Sequence, residues 1–205
     1  MVRGIEVSMT IYTVGHSTNT FRQLVSLLKQ HDITAVADVR SQPYSRVNPQ
    51  FNKKPFKAAL KECGMSYVFL GAELGARSTD PNCYVNGKVQ YDLLAKTSAF
   101  QYGLERLQKG VTKFHVAMMC AEKEPLICHR TILIARHLHE RGFAVRHILH
   151  NGILEDHDSA MDRLVKLLRI PDEDMFRNKA ETICLAYAMQ GQKIAYGSDE
   201  MELTA

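Results

Sequence analysis

Residues 10–40 read TIYTVGHSTNTFRQLVSLLKQHDITAVADVR, and this stretch decides the fold. Ile-Tyr-Thr-Val at 11–14 is a short β-branched and aromatic run, while residues 21–30 place apolar side chains at 21, 24, 25, 27 and 28, the spacing of one helix face. Ala-Val-Ala-Asp-Val at 35–39 is again a strand. A strand, a helix and a second strand within about 30 residues start the alternation that marks a parallel sheet.

Outward from that unit the alternation continues. A polar loop leads to a helix over 53–63, with Pro55 tolerated in its first turn, and then to a strand at 67–70. Residues 71–90 show no period and contain Gly71, Gly75, Gly87 and Pro81, so a long connection is expected there; long connections in compact domains are usually functional. A helix over 91–109, a strand at 114–119, a helix over 131–141 stopped by Gly142 and a strand at 145–149 follow. The tail carries helical patterns at 161–168 and 177–189, and residues 193–196 fit an edge strand or simple packing. Repeated strand–helix–strand units with short apolar strands predict an α/β protein, a doubly wound and mostly parallel sheet with helices on both faces.

Composition agrees with an ordinary globular chain: 205 residues, 45% apolar, 23% charged. Residues 1–9 show neither period and are read as a ragged extension; residues 10–205 are expected to form one α/β domain with a C-terminal helical segment. No apolar run approaches a membrane span and the first residues lack the apolar core of an export signal, so a cytoplasmic protein with no membrane partner is expected. Cysteines at 63, 83, 120, 128 and 184 have no framework spacing and read as reduced thiols. The net charge of +4 is too small to imply nucleic acid by itself, so any basic site must be local.

In open α/β sheets ligands bind beyond the carboxyl ends of the strands. Those ends carry Gly15-His16-Ser17-Thr18, then Arg40 through Arg46, Gly71 through Arg77, Cys120-Ala121-Glu122 with Cys128-His129-Arg130, and His150-Asn151. The segments VGHST, DVRSQPYS, ELGAR and MCAEKEPLICHR, with a closing QGQKIAY, resemble the uncharacterised "domain of unknown function 488" proteins over residues 10–196. That resemblance implies a compact α/β domain of bacteria and archaea with a Cys-His-Arg hallmark, and it implies no settled reaction.

Read as chemistry, Cys128 precedes a helix start and has His129 and Arg130 beside it, the setting of an activated nucleophile with partial access; a buried packing thiol is the alternative. The nucleophile-x5-Arg loop of cysteine phosphatases is absent, because Ile134 stands where its arginine would. Cys120 is a resolving thiol, a core residue or a neighbour in catalysis, and Glu122 an acid or base or a solvated carboxylate. His16 over Ser17, Thr18 and Asn19 offers a proton carrier above a capped helix start, or plain capping. Asp38 and Arg40 suggest anion capture or a structural pair, and Glu73 with Arg77 a ligand contact or a turn fixed by their pairing. The loop holding Ser45, Arg46, Lys53, Lys54 and Lys57 interleaves Tyr44, Phe51 and Phe56, as phosphate-gripping, base-stacking surfaces do, although Lys53 and Lys57 fit a solvated face over core aromatics better.

Three functional classes follow, in order. The first is a cysteine-dependent hydrolase or transferase acting on a phosphorylated, nucleotide-like or nucleic-acid substrate, with Cys128, His16, Glu122 and His129 reacting and Ser17, Asp38, Arg40, Ser45, Arg46, Glu73, Arg77, Cys120 and Arg130 binding. The second is a nucleic-acid or nucleotide binding module without chemistry. The third is a regulatory protein in which Cys120 and Cys128 bind metal with His16, His129 or His150, without the short Cys-x2-Cys spacing that marks such sites. No Gly-x-Gly-x-x-Gly fingerprint is present; no cofactor and no resident metal are expected. The partner is an anionic small molecule or nucleic acid, and the chain a monomer or, through an exposed stripe on 177–189, a homodimer.

Overall fold

The computed structural model describes residues 9–171 and 177–197; residues 1–8 of the expected extension lie outside it. Six strands form one sheet in the order β3-β2-β6-β1-β7-β8. They are β1 (Thr10–Gly15), β2 (Ala35–Asp38), β3 (Ser66–Phe69), β6 (Val116–Cys120), β7 (Ala144–Ile148) and β8 (Leu154–Asp156). All neighbours are parallel except β7 and β8. A separate antiparallel hairpin joins β4 (Tyr84–Val85) to β5 (Lys88–Val89).

Side-chain alternation builds two layers around the sheet. Val36, Ala117, Met119 and Val14 face α1 (Phe21–Gln30) and α2 (Lys53–Glu62), whose Leu24, Leu28, Phe56 and Leu60 are fully buried against them. Ala35, Ala37, Met118 and Cys120 face the opposite way, toward Phe100 and Leu104 of α5 (Ser98–Val111) and toward Leu133 to Leu138. Strands covered on both faces bury every residue, as β2 and β6 do. Each fully buried Leu or Phe contributes roughly 2 kcal/mol, so these layers carry most of the stability.

A third layer lies outside the second. The π-helical turn Arg130–Ala135 and α6 (Arg136–Glu140) run between the sheet and the pair α7 (His157–Leu167) and α8 (Lys179–Ile194). All six residues of the π-helical turn are buried, because it has protein on both sides. No helix among the described residues is long and apolar enough to cross a membrane.

The α/β reading stands, with local differences. The expected 91–109 helix is two, α4 (Tyr91–Leu94) and α5, because the Thr97 hydroxyl accepts the Phe100 N–H and starts a new helix. Residues 71–90 contain α3 (Gly71–Leu74) and the β4–β5 hairpin. α1 is capped not by Ser17, Thr18 or Asn19 but by Thr20, in a reciprocal capping box with Gln23. α8 continues to Ile194, so 193–196 is no edge strand; Tyr196 instead accepts the Val89 N–H.

Insertion of β6 between β1 and β2 positions the site. The chain leaves β2 along one face of the sheet and leaves β6 along the other, so the loops after them part and open a crevice lined by Ser41, Gln42, Cys120 and Glu122. His16 follows β1 on the other side of Cys120, which ends β6.

Candidate functional site

The two strand ends are stitched together by the backbone: His16 N–H donates to the Cys120 carbonyl (2.9 Å) and Ser17 N–H to that of Ala121 (2.9 Å). The Glu122 carbonyl then passes so close to Gly15 that a β-carbon there would lie 1.9 Å from it; only glycine permits this approach. Arg130, fully buried, donates from one terminal nitrogen to the Glu122 carbonyl at 2.7 Å and from the other to the Lys123 carbonyl at 3.4 Å. Its expected role in ligand binding is thereby replaced by a structural one, bracing the loop that carries Glu122 and leaving only its Nε without a partner.

Within this frame four side chains converge. One ligand-type atom from each of Cys120, Glu122, Cys128 and His129 lies within 4.8 Å of all the others. Cys120 Sγ is 3.6 Å and Cys128 Sγ 3.9 Å from His129 Nδ1, and Cys128 Sγ is 2.9 Å from Glu122 Oε2. His129 Nε2 lies 3.0 Å from the Val39 carbonyl, which only accepts; Nε2 therefore carries a proton and Nδ1 faces the two sulfurs.

Electrostatics inside the cluster are uneven. Burial opposes ionisation of Cys128, but the Cys120 hydrogen bond, Arg130 and His129 outweigh it and hold the thiol well below its ordinary range. Burial and then the neighbouring Cys128 push Cys120 up. The same two causes raise the Glu122 carboxyl. His129 is raised despite burial, because Cys128 and Glu122 favour its cation.

A cavity of about 410 Å³ lies above the cluster, within the size range of small-molecule sites. Cys120, Glu122 and His129 line it below, while Arg77, Lys193, Tyr44, Tyr91 and Tyr196 are among its walls. Arg77 stacks on Tyr196 at 4.2 Å and donates to Gln42 Oε1 at 3.2 Å. Among the described residues neither Arg77 nor Lys193 has a carboxylate partner, so both charges are available to a ligand.

The remaining sequence-predicted residues are divided. Cys128 is 1% exposed and does not line the cavity, contrary to the partial access expected of it; the sulfur at the cavity floor is Cys120. Arg40 lines the cavity, but its guanidinium is tied to both oxygens of Asp38 (2.9 and 2.7 Å) and to the Phe51 carbonyl (2.7 Å). Asp38 also accepts the Tyr67 hydroxyl at 2.8 Å, so this pair is structural.

His16 is buried beneath Arg40, stacked on Phe51, with Nδ1 2.9 Å from the Ser17 carbonyl and Nε2 3.2 Å from Arg40. Burial pushes it down to about 4, so it is neutral and serves as a strut; it does not reach the cavity. Ser17, with φ of 46°, spends its backbone on His16 and Ala121 and stays outside the cavity as well. Glu73 pairs with Arg106 of α5 and not with Arg77, since α3 turns it away from the rim. Ser45 accepts the backbone N–H groups of Val47 and Asn48, and Arg46 is exposed outside the cavity. Phe51 and Phe56 are fully buried, leaving Tyr44 alone of that loop's aromatics open to a ligand. His150 is exposed and apart from the cluster.

Lys193 and Tyr196, in the closing QGQKIAY segment, are the site residues whose role went unread. The end of α8 carries them over the rim, fixed by Gln190 Nε2 donating to the Leu126 carbonyl at 2.7 Å and by the Val89–Tyr196 backbone bond. That long-range return leaves no periodic signal.

The fold is an open α/β sheet with a thiol, imidazole and carboxylate cluster at its strand ends, beneath a cation-lined cavity. The chain belongs to the family described as Domain of unknown function DUF488, whose model matches residues 20–137, more than half its length. The matched region holds Arg77 and all four cluster residues. Comparison with curated proteins and with solved structures finds no match.

Proposed function

We propose that this protein is an enzyme of hydrolase or transferase type. It holds an anionic small molecule, phosphorylated or nucleotide-like, in the rim cavity and acts on it with the cluster on the cavity floor. One observation carries the reading: two cations without carboxylate partners, Arg77 and Lys193, share a cavity of about 410 Å³ with Cys120, Glu122 and His129. Binding alone needs the cations; a floor of one sulfur, an imidazole and a carboxylate supplies groups that react. Tyr44, exposed at the rim, adds a flat wall on which a base or sugar can lie. In this reading a substrate meets Cys120 and Glu122 first, with Cys128 supporting them from beneath.

The alternative of a nucleic-acid module is weaker, because Arg40 is occupied by Asp38 and the basic loop has buried its phenylalanines.

The test is a turnover screen of phosphate esters and nucleotides on the full chain. Arg77→Ala is expected to raise KM at least tenfold, and Glu122→Gln to lower kcat. Turnover unchanged by both substitutions would overturn the proposal.

A further inference from the structure

The cluster has the arrangement of a metal site more than that of a free thiol centre. We infer that Cys120, Cys128 and His129, with Glu122 at the fourth corner, bind one divalent transition metal of the zinc class, and that the fourth corner opens to the rim cavity. The inference rests on the reading of that cavity as the reacting site and names what the cluster supplies to it.

Geometry comes first. Zinc bonds to sulfur at about 2.3 Å and to nitrogen at about 2.0–2.1 Å, so in a tetrahedral site neighbouring sulfur and nitrogen ligands stand about 3.6 Å apart. The two sulfur-to-Nδ1 distances are 3.6 and 3.9 Å. Cys128 Sγ and Glu122 Oε2, at 2.9 Å, are closer than such an edge, and a shift of the carboxylate by about 0.7 Å toward the cavity restores it. Glu122 is the ligand free to make that shift, since it is half-buried and lines the cavity while both sulfurs are buried. Three firm ligands and one displaceable carboxylate are what a catalytic metal needs, because substrate or water must reach the fourth position.

The surroundings agree. The Val39 carbonyl fixes the His129 ring with Nδ1 toward the sulfurs, the outer-shell contact by which metal-bound histidines are oriented. Arg130 fixes the Glu122 backbone and, with the Gly15 contact, holds the loop in place. Cys120 ends a central strand, and Cys128 and His129 lead into a π-helical turn buried on all sides, so the three ligands stand on rigid elements. Two thiolates and an imidazole select zinc, or iron, cobalt or nickel in its place, over magnesium and calcium. The metal's chemistry there would be that of a Lewis acid at the cavity floor, facing whatever anion Arg77 and Lys193 hold.

The test uses the full chain. Elemental analysis after expression in zinc-supplemented medium is expected to give close to one metal per chain. Cobalt(II) titration of the chelator-stripped protein is expected to give thiolate-to-cobalt charge-transfer absorption and the visible bands of a tetrahedral site. Cys128→Ser and His129→Ala are expected to weaken binding at least 100-fold, while Cys63→Ser and Cys184→Ser leave it unchanged. Should the cluster variants fail to fold, peptide-resolved alkylation of the wild type decides: zinc added to the chelator-stripped protein must slow alkylation of Cys120 and Cys128 and leave the rate at the exposed Cys184 unchanged. Substoichiometric metal, or cobalt spectra indifferent to Cys128→Ser, overturns the inference. Phosphate-ester turnover that persists at full rate in excess chelator also overturns it, while leaving the enzyme reading intact. Stoichiometric metal without turnover of any anion does the reverse.

Discussion

Two of the buried polar clusters among the described residues differ in how their hydrogen bonds close. On the far side of β1, Thr13 Oγ1, His147, His157 and Tyr187 form a chain with contacts of 2.8, 3.0 and 2.7 Å. Every ring nitrogen has one partner, so two neutral imidazoles relay the chain from hydroxyl to hydroxyl. At the rim, Cys120, Cys128, Glu122 and His129 turn their ligand atoms toward one another and onto a cavity. Apart from the half-buried Glu122 both clusters are buried; closure of their hydrogen bonds is what separates them.

The largest way to break that comparison is with acid. Burial, and then the neighbouring His139, push His157 down to about 3 from 6.5, and burial with His157, Arg130 and Arg163 lowers His147 too. His139, paired with Asp158, and the hydroxyl of Tyr187 are the other groups facing the chain. Both histidines are neutral when folded, while the unfolded chain takes up protons below about 6.5. Their contribution to stability is therefore fully present above that pH and is lost as pH drops toward about 3, by on the order of 4 kcal/mol for His157 alone. Denaturant titrations at pH 7, 5 and 4 should show the loss.

Next in size is Gly15→Ala, which sets a β-carbon against the Glu122 carbonyl and is expected to cost about 2–3 kcal/mol while weakening anion binding; thermal unfolding and phosphate titration read both. Tyr187→Phe leaves His157 Nε2 without its hydroxyl and should cost about 1–2 kcal/mol, with anion binding unchanged. Smallest for stability is Arg77→Ala, expected within about 0.5 kcal/mol of wild type yet lowering phosphate affinity about tenfold in calorimetry. Its stacking on Tyr196 makes loss of ring packing the competing effect, which Arg77→Lys separates by keeping the charge.

What was legible in the chain follows the reach of each interaction. Short apolar strands and the amphipathic α1 are local patterns, so the parallel sheet and the residues at its strand ends could be read. Cys120, Glu122, Cys128 and His129 were found because strand ends gather loops, and they lie close together along the chain. The pairing of Glu73 with Arg106, the return of α8 to place Lys193 and Tyr196, and the histidine chain from β1 to α8 depend on contacts across tens of residues. No period records them. Arg40 shows the opposite limit: its type suited anion capture, but Asp38 two residues away claims its fork, and only geometry tells the two apart.

The most direct test of the rim as the functional site is a backbone amide NMR titration with inorganic phosphate. Saturable shifts at Ser41, Gln42, Ala76, Arg77, Ala121 and Lys193, absent in Arg77→Ala, are the result expected. Shifts confined to Arg46 and Lys53 through Lys57, or none at millimolar phosphate, would contradict the account.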